Sequence, residues 1–198
     1  MIATDDACCT RVYFVITLFK SGGNQNKMRL WTVVAGSCCF AVVAASLVAQ
    51  TANLSPADKQ FLDLAAQTDM TEANLGKVAQ DKSDRQDVKD YGKMLTDDHT
   101  ANYNQLAQLA TKVGATIPKG IDKPHDAKIA GLSKLKGPAF DRQFAAAMAA
   151  GHRQVIAAFT RQAQHGDNPD IKAYANDTLP HLQKHLEGAE ALTKAKGK

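Results

Sequence analysis

Apolar and polar positions alternate in steps of three and four along four long stretches of this chain. The first stretch aligns Phe61, Ala65, Thr68, Glu72, Leu75 and Ala79, and the second aligns Val88, Gly92, Leu95, His99, Asn102, Leu106, Leu109 and Val113. The third aligns Ala145, Met148, His152, Val155 and Phe159, with Phe140 and Phe144 beside them. The fourth aligns Ile171, Ala175, Thr178, Leu182, His185, Ala189 and Leu192. A period near about 3.6 residues keeps one helix face turned to its neighbours, so the pattern predicts an all-α bundle. No stretch has the period-two alternation of a half-buried strand.

Local signals place the ends. Ser55-Pro56 supplies an N-cap and a first-turn proline for a helix running to about Gln80. Ser83 and Gln86 are spaced as a capping box for a second helix, which ends at Gly114. A short, weakly patterned helical piece is expected over Asp126 to Lys136. Gly137-Pro138 opens a third long helix that stops at Gly166, and Asn168-Pro169 opens a fourth reaching about Thr193. Within it, Pro180 would free the Asn176 carbonyl.

The links are short, long and short, with residues 114 to 138 forming the long one. That is the connectivity of a ferritin-like four-helix bundle with one long crossover connection between helices two and three, and an up-down-up-down bundle is the alternative.

Each stripe is interrupted near its middle by an ionisable group: Glu72, His99, His152 and His185. Burying such a group unpaired costs several kcal/mol, so four in one bundle imply mutual pairing or a bound ion. With one crossover, His99 and His152 both lie about 15 residues from the same end of the bundle, and His185 falls level with them. Glu72 is inward by periodicity but falls about 10 Å short of His99 along the axis at the helical rise, so Gln67 or Asp69 is an alternative neighbour. Three imidazoles with a carboxylate suit iron, copper or zinc. Asp98, Asn102 and Asp141 are candidates to orient the rings, and Met148 is a soft donor one turn before His152, otherwise a core methionine.

Lys27-Met28-Arg29 followed by the apolar run Leu30 to Val48 reads as a secretory signal peptide, with cleavage after Ser46 or after Ala49. Residues 1–27 are then an upstream extension, 28–49 the signal peptide and 50–198 the working domain. An uncleaved membrane anchor and a lipoprotein using Cys38 are the alternatives. All four cysteines, Cys8, Cys9, Cys38 and Cys39, fall before residue 50, so residues 50–198 hold neither a disulfide nor a thiolate site. The expected location is the periplasm, or association with the outer membrane.

Charge adds little. Lysines and aspartates are interspersed, as in residues 81 to 90, and do not form the basic stripe of a nucleic-acid binder. The few serines after residue 50 stand outside any nucleophile elbow, and Asp97 and Asp98 diverge around their helix. His181 and His185 are four apart, but Leu182 stands where a zinc protease needs a glutamate. No conventional catalytic constellation is present.

The run Phe61-Leu62, Ala65-Ala66, Glu72, Leu75-Gly76-Lys77-Val78-Ala79 and then Met94-Leu95-Thr96-Asp97-Asp98-His99 resembles the bacterial domain-of-unknown-function 4142 family. Phe140-Asp141, Met148 to His152, and Leu179-Pro180-His181-Leu182 through His185-Leu186 resemble it too. The resemblance implies a ferritin-like helical fold in an exported protein and no particular activity. Di-iron ferritins carry Glu-x-x-His pairs, whereas Thr96 and Leu182 stand three residues before His99 and His185. Two functions follow as expectations: a metal-binding or stress-protection role through His99, His152, His185 and Glu72, or an envelope interaction module whose polar layer only specifies the fold.

Overall fold

The computed structural model describes residues 54–195, and the expected extension and signal peptide lie outside them. Among the described residues there are five helices and no strand: α1 (Pro56–Lys82), α2 (Gln86–Lys112), α3 (Lys123–Ser133), α4 (Gly137–His165) and α5 (Pro169–Lys194). The expected count of four becomes five, because the weak piece in the long connection is a helix in its own right. It begins at Lys123, three residues before the expected Asp126, since Asp122 caps it by accepting from the His125 amide and Pro124 occupies the first turn.

The ends of the long helices fall close to their signals, with one exception. Ser55 accepts from the Asp58 amide and Asn168 from the amides of Asp170 and Ile171. Gly114, at φ +70°, turns the chain away after α2. The Ser83–Gln86 capping box does not form. The Ser83 hydroxyl instead accepts from the Arg85 amide at 3.0 Å and donates to Asp141 Oδ1 at 2.6 Å, and α2 starts two residues later than the sequence implied. A buried carboxylate across the bundle outcompetes the local backbone for that hydroxyl.

Polar contacts at the ends give the topology. The Ser83–Asp141 bond joins the starts of α2 and α4. At the opposite end the buried Asp58, at the start of α1, accepts from Gln162 near the end of α4 and from the amide of Asn168 before α5. Thus α1 and α5 begin at one end and α2 and α4 at the other, and the connection carrying α3 must run back along the bundle. The main seams are α1 against α2 and α4 against α5, closed by α1 on α4 and α2 on α5. Along α5 the helix continues unbroken through Pro180.

Two glycines set the α1–α2 seam. A Cβ on Gly76 would lie 2.3 Å from the Gly92 carbonyl oxygen, and one on Gly92 would lie 2.7 Å from the Gly76 carbonyl oxygen, so only hydrogen fits at the crossing. This pairing opposes Gly76 to Gly92, Glu72 to Thr96 and Asp69 to His99. Accordingly, the Thr96 hydroxyl donates to the Ala73 carbonyl.

The core is divided. One apolar cluster holds Leu75, Leu95, Phe140, Phe144 and Met148, and the other holds Phe61, Leu106, Phe159, Ile171 and Leu182. Between them each long helix contributes its polar interruption: Glu72, His99, His152 and His185, every one buried.

Candidate metal centre

The three histidines form one layer, as their register predicted. Their ring centroids are 5.1 to 6.0 Å apart, and one nitrogen of each lies within 4.8 Å of the others. Glu72 belongs to the same layer, which corrects the expected displacement of about 10 Å. Its Oε2 is 3.2 Å from His99 Nε2 and 3.1 Å from His152 Nε2. The glycine crossing and the three-residue turn bring Glu72 within one helical turn of His99, and the flexible side chain spans the remainder.

The outward nitrogen of every ring has a partner. His99 Nδ1 is 2.8 Å from Asp69 Oδ1, His152 Nδ1 is 2.9 Å from the Met148 carbonyl oxygen, and His185 Nε2 is 2.9 Å from Asp98 Oδ2. The inward atoms, His99 Nε2, His152 Nε2, His185 Nδ1 and Glu72 Oε2, are buried and lack a hydrogen-bond partner, the short approaches to Glu72 being misaligned for one. Buried polar atoms are rarely left so. Three imidazole nitrogens within 4.8 Å of one another, with Glu72 Oε2 beside those of His99 and His152, form the pattern of a ligand set whose tautomers are held from behind.

Asp98 and Asn102 were expected behind the rings. Asp98 touches His185, whereas Asn102 acts one residue further out, its amide reaching both oxygens of Asp69 at 3.0 and 2.9 Å and the Tyr174 hydroxyl at 2.8 Å. Asp141 does not reach the layer, because Ser83 holds it at the bundle end. Met148 is fully buried in the apolar cluster and serves His152 through its backbone carbonyl. His181 is exposed on α5, His165 is exposed, and His125 pairs with Asp122. Among the residues behind the rings, Tyr174 carried no signal in the sequence beyond lying one turn before Thr178.

Burial and charge act in opposition here. Burial lowers the His99 pKa, but the bond to Asp69 and the Glu72 carboxylate beside its other nitrogen outweigh it and raise it to about 10. Burial likewise raises Glu72, yet His152 and His99 pull it down to about 2. Asp69 remains above the ordinary carboxylate range because burial dominates its contacts with His99 and Asn102. His185 is lowered to about 4, chiefly by burial, with Asp98 opposing and the other two imidazoles reinforcing. His152 is lowered by burial against the pull of Glu72. These shifts favour a proton on His99 and a charge on Glu72, and disfavour protonation of His152 and His185.

A groove of about 460 Å³ between α2 and α5 runs to His99 and His185. On the opposite side, at Gly151 of α4, a Cβ would sit 3.6 Å from Glu72 Oε1 and 3.7 Å from Lys128 Nζ. The absence of a side chain there leaves Glu72 close to the α3 lysine.

An all-α bundle with a buried three-histidine, one-glutamate layer between two apolar clusters defines the class. Residues 43–192 match the family described as a domain of unknown function (DUF4142), and the chain belongs to that family. No curated protein matches it. Its fold is similar to that in the crystal structure of a DUF305 fragment from Deinococcus radiodurans, with a TM-score of 0.62 and 18% identity over 71% of this chain and 97% of that one.

Proposed function

We propose that the protein binds one divalent transition-metal ion of the iron, copper or zinc group through His99 Nε2, His152 Nε2, His185 Nδ1 and Glu72 Oε2. The observation that carries this reading is the cluster of three buried histidines within 4.8 Å of one another, with Glu72 beside two of them and all four inward atoms without a hydrogen-bond partner. Ligand bonds of about 2.0 to 2.1 Å in a tetrahedron place neighbouring donor atoms about 3.3 Å apart. The 3.1 and 3.2 Å separations around Glu72 Oε2 already suit that, and the histidine nitrogens need a modest inward movement. Binding exchanges the proton held by His99 for the ion, so a second positive charge enters a layer that keeps its carboxylate.

The role that fits is sequestration or metal-dependent stress protection in the cell envelope, after export directed by residues 28–49. The cysteine-free sequence after residue 50 and the basic-then-apolar leader support export. The return of the chain along the bundle between α2 and α4 supports reading the fold as ferritin-like. Elemental analysis of untagged protein from the periplasm, followed by calorimetric titration with Zn2+, tests the site. About one ion per chain, lost in His152→Ala and His185→Ala variants that remain helical, is the expected result; under about a tenth of an ion with no titration heat overturns it.

One observation favours a second reading. His99 on α2 contacts both Asp69 and Glu72 on α1, which pins the register of that seam without an ion. Under that reading, leucine or phenylalanine at the three histidines preserves thermal stability and cellular function.

A further inference from the structure

Resting on the metal-binding reading, we infer that the ion reaches the layer through the groove between α2 and α5, and that Asp98 and Asp177 at its sides draw the cation in. The groove is lined by two members of the layer. Two residues at its floor, His99 and His185, are each only 2% exposed, and each holds a ring nitrogen without a hydrogen-bond partner. Asp98 bridges inside and outside: its carboxylate contacts His185 Nε2, yet its side chain is 40% exposed. The other two carboxylates beside the rings, Asp69 and Glu72, are nearly fully buried.

Charge along the groove points the same way. Its lining carries Asp98, Asp170 and Asp177 against the single ammonium of Lys112. Lys112 is already engaged by Asp170 at 2.8 Å, at the end nearest the α5 start, so the stretch nearer the histidines is net acidic. An acidic cleft concentrates cations and raises their association rate, an effect that salt weakens. The other approach, past Gly151, carries an ammonium beside the ligand carboxylate: Lys128 Nζ and Glu72 Oε1 both lie beside the position a Cβ would take there. An ammonium at that opening repels a divalent cation. His181, exposed on the groove wall one turn before His185, offers an imidazole on the way.

A residue on the route and outside the ligand set changes the two rate constants together and leaves the equilibrium unaltered. Stopped-flow loading of the purified metal-free protein with Co2+, followed by chelator-driven release, reads both. Ala101→Trp and Ala173→Trp, which place a ring on opposite walls of the groove, should each slow loading and release by about tenfold or more with Kd unchanged, and Asp177→Lys should slow loading and flatten its salt dependence. Lys128→Glu should leave loading at the wild-type rate. If the groove variants load as wild type does while Lys128→Glu accelerates loading, the route lies past Gly151 and the inference is overturned. Failure of the underlying reading looks different: wild-type protein itself then takes up no Co2+.

Discussion

Asp69 stands directly opposite His99 across the α1–α2 seam, with its Oδ1 2.8 Å from His99 Nδ1 and both oxygens braced by the Asn102 amide. The contact fixes the imidazole so that Nε2 faces Glu72, His152 and His185. Glycines at 76 and 92 place the two residues level, because an antiparallel pair that crosses at those positions matches 69 with 99.

Asp69→Asn should therefore weaken metal binding while the bundle stays folded. Loss of a carboxylate behind a liganding histidine typically costs about 10- to 100-fold in affinity. Competition against a chromophoric chelator measures it, with circular dichroism as the check on helicity. Unchanged affinity would show that Asp69 only supports the seam.

Metal uptake should release about one proton between pH 7 and 9, since His99 carries its proton up to about 10 and must lose it to become a ligand. Apparent affinity then rises about tenfold per pH unit in that range. Calorimetry in two buffers of different ionisation enthalpy gives the proton count directly. Equal heats in both buffers would contradict the assignment of the proton to His99.

Stability of the chelated, metal-free protein should peak near neutral pH. His99, raised from 6.5 to about 10, contributes stability that is complete below 6.5 and is lost as pH rises through 10. His185, lowered from 6.5 to about 4, acts oppositely: the unfolded chain takes up the proton first, so stability declines as pH falls from 6.5 towards 4. Glu72, lowered from 4.5 to about 2, adds a further loss below 4.5. Urea midpoints across pH 4 to 10 test this, and a midpoint that keeps rising from pH 7 to pH 10 would contradict it.

Gly76→Ala should destabilise the bundle by about 1 to 3 kcal/mol, because its methyl group would meet the Gly92 carbonyl and the Thr96 hydroxyl, and the helices must separate. Since the same crossing sets Asp69 against His99, metal affinity should fall along with the thermal midpoint. Gly131→Ala, at a position with open space around it, is the control and should leave the layer intact.

Much of this was written into the stripes. Ile171, Ala175, Thr178, Leu182, His185, Ala189 and Leu192 were aligned by spacing alone, and all seven are buried. His99, His152 and His185 were expected to be level from distances along their helices, and they are. Helical periodicity is local and survives whatever the helix packs on. Failures arose where a residue had a distant competitor. Ser83 looked like a cap for α2 and bonds Asp141, 58 positions away. Asp58, read only as a favourable first-turn acid, is buried because Gln162 near the end of α4 and the amide of Asn168 bond it, whereas Asp69, an alternative neighbour of His99 in the sequence, does contact that ring.

By itself, the amino-acid order determined which faces turn inward, where the helices begin and end to within a few residues, and which four ionisable groups interrupt the apolar stripes. Those properties follow from the helical repeat and from backbone capping, which depend on near neighbours. Only the tertiary structure decided that Glu72 joins the histidines, which nitrogen of each ring faces the centre, and that a groove between α2 and α5 is lined by His99 and His185. These depend on helix stagger and on side-chain reach across seams, and a glycine crossing at Gly76 and Gly92 sets the stagger through steric contact between residues 16 positions apart.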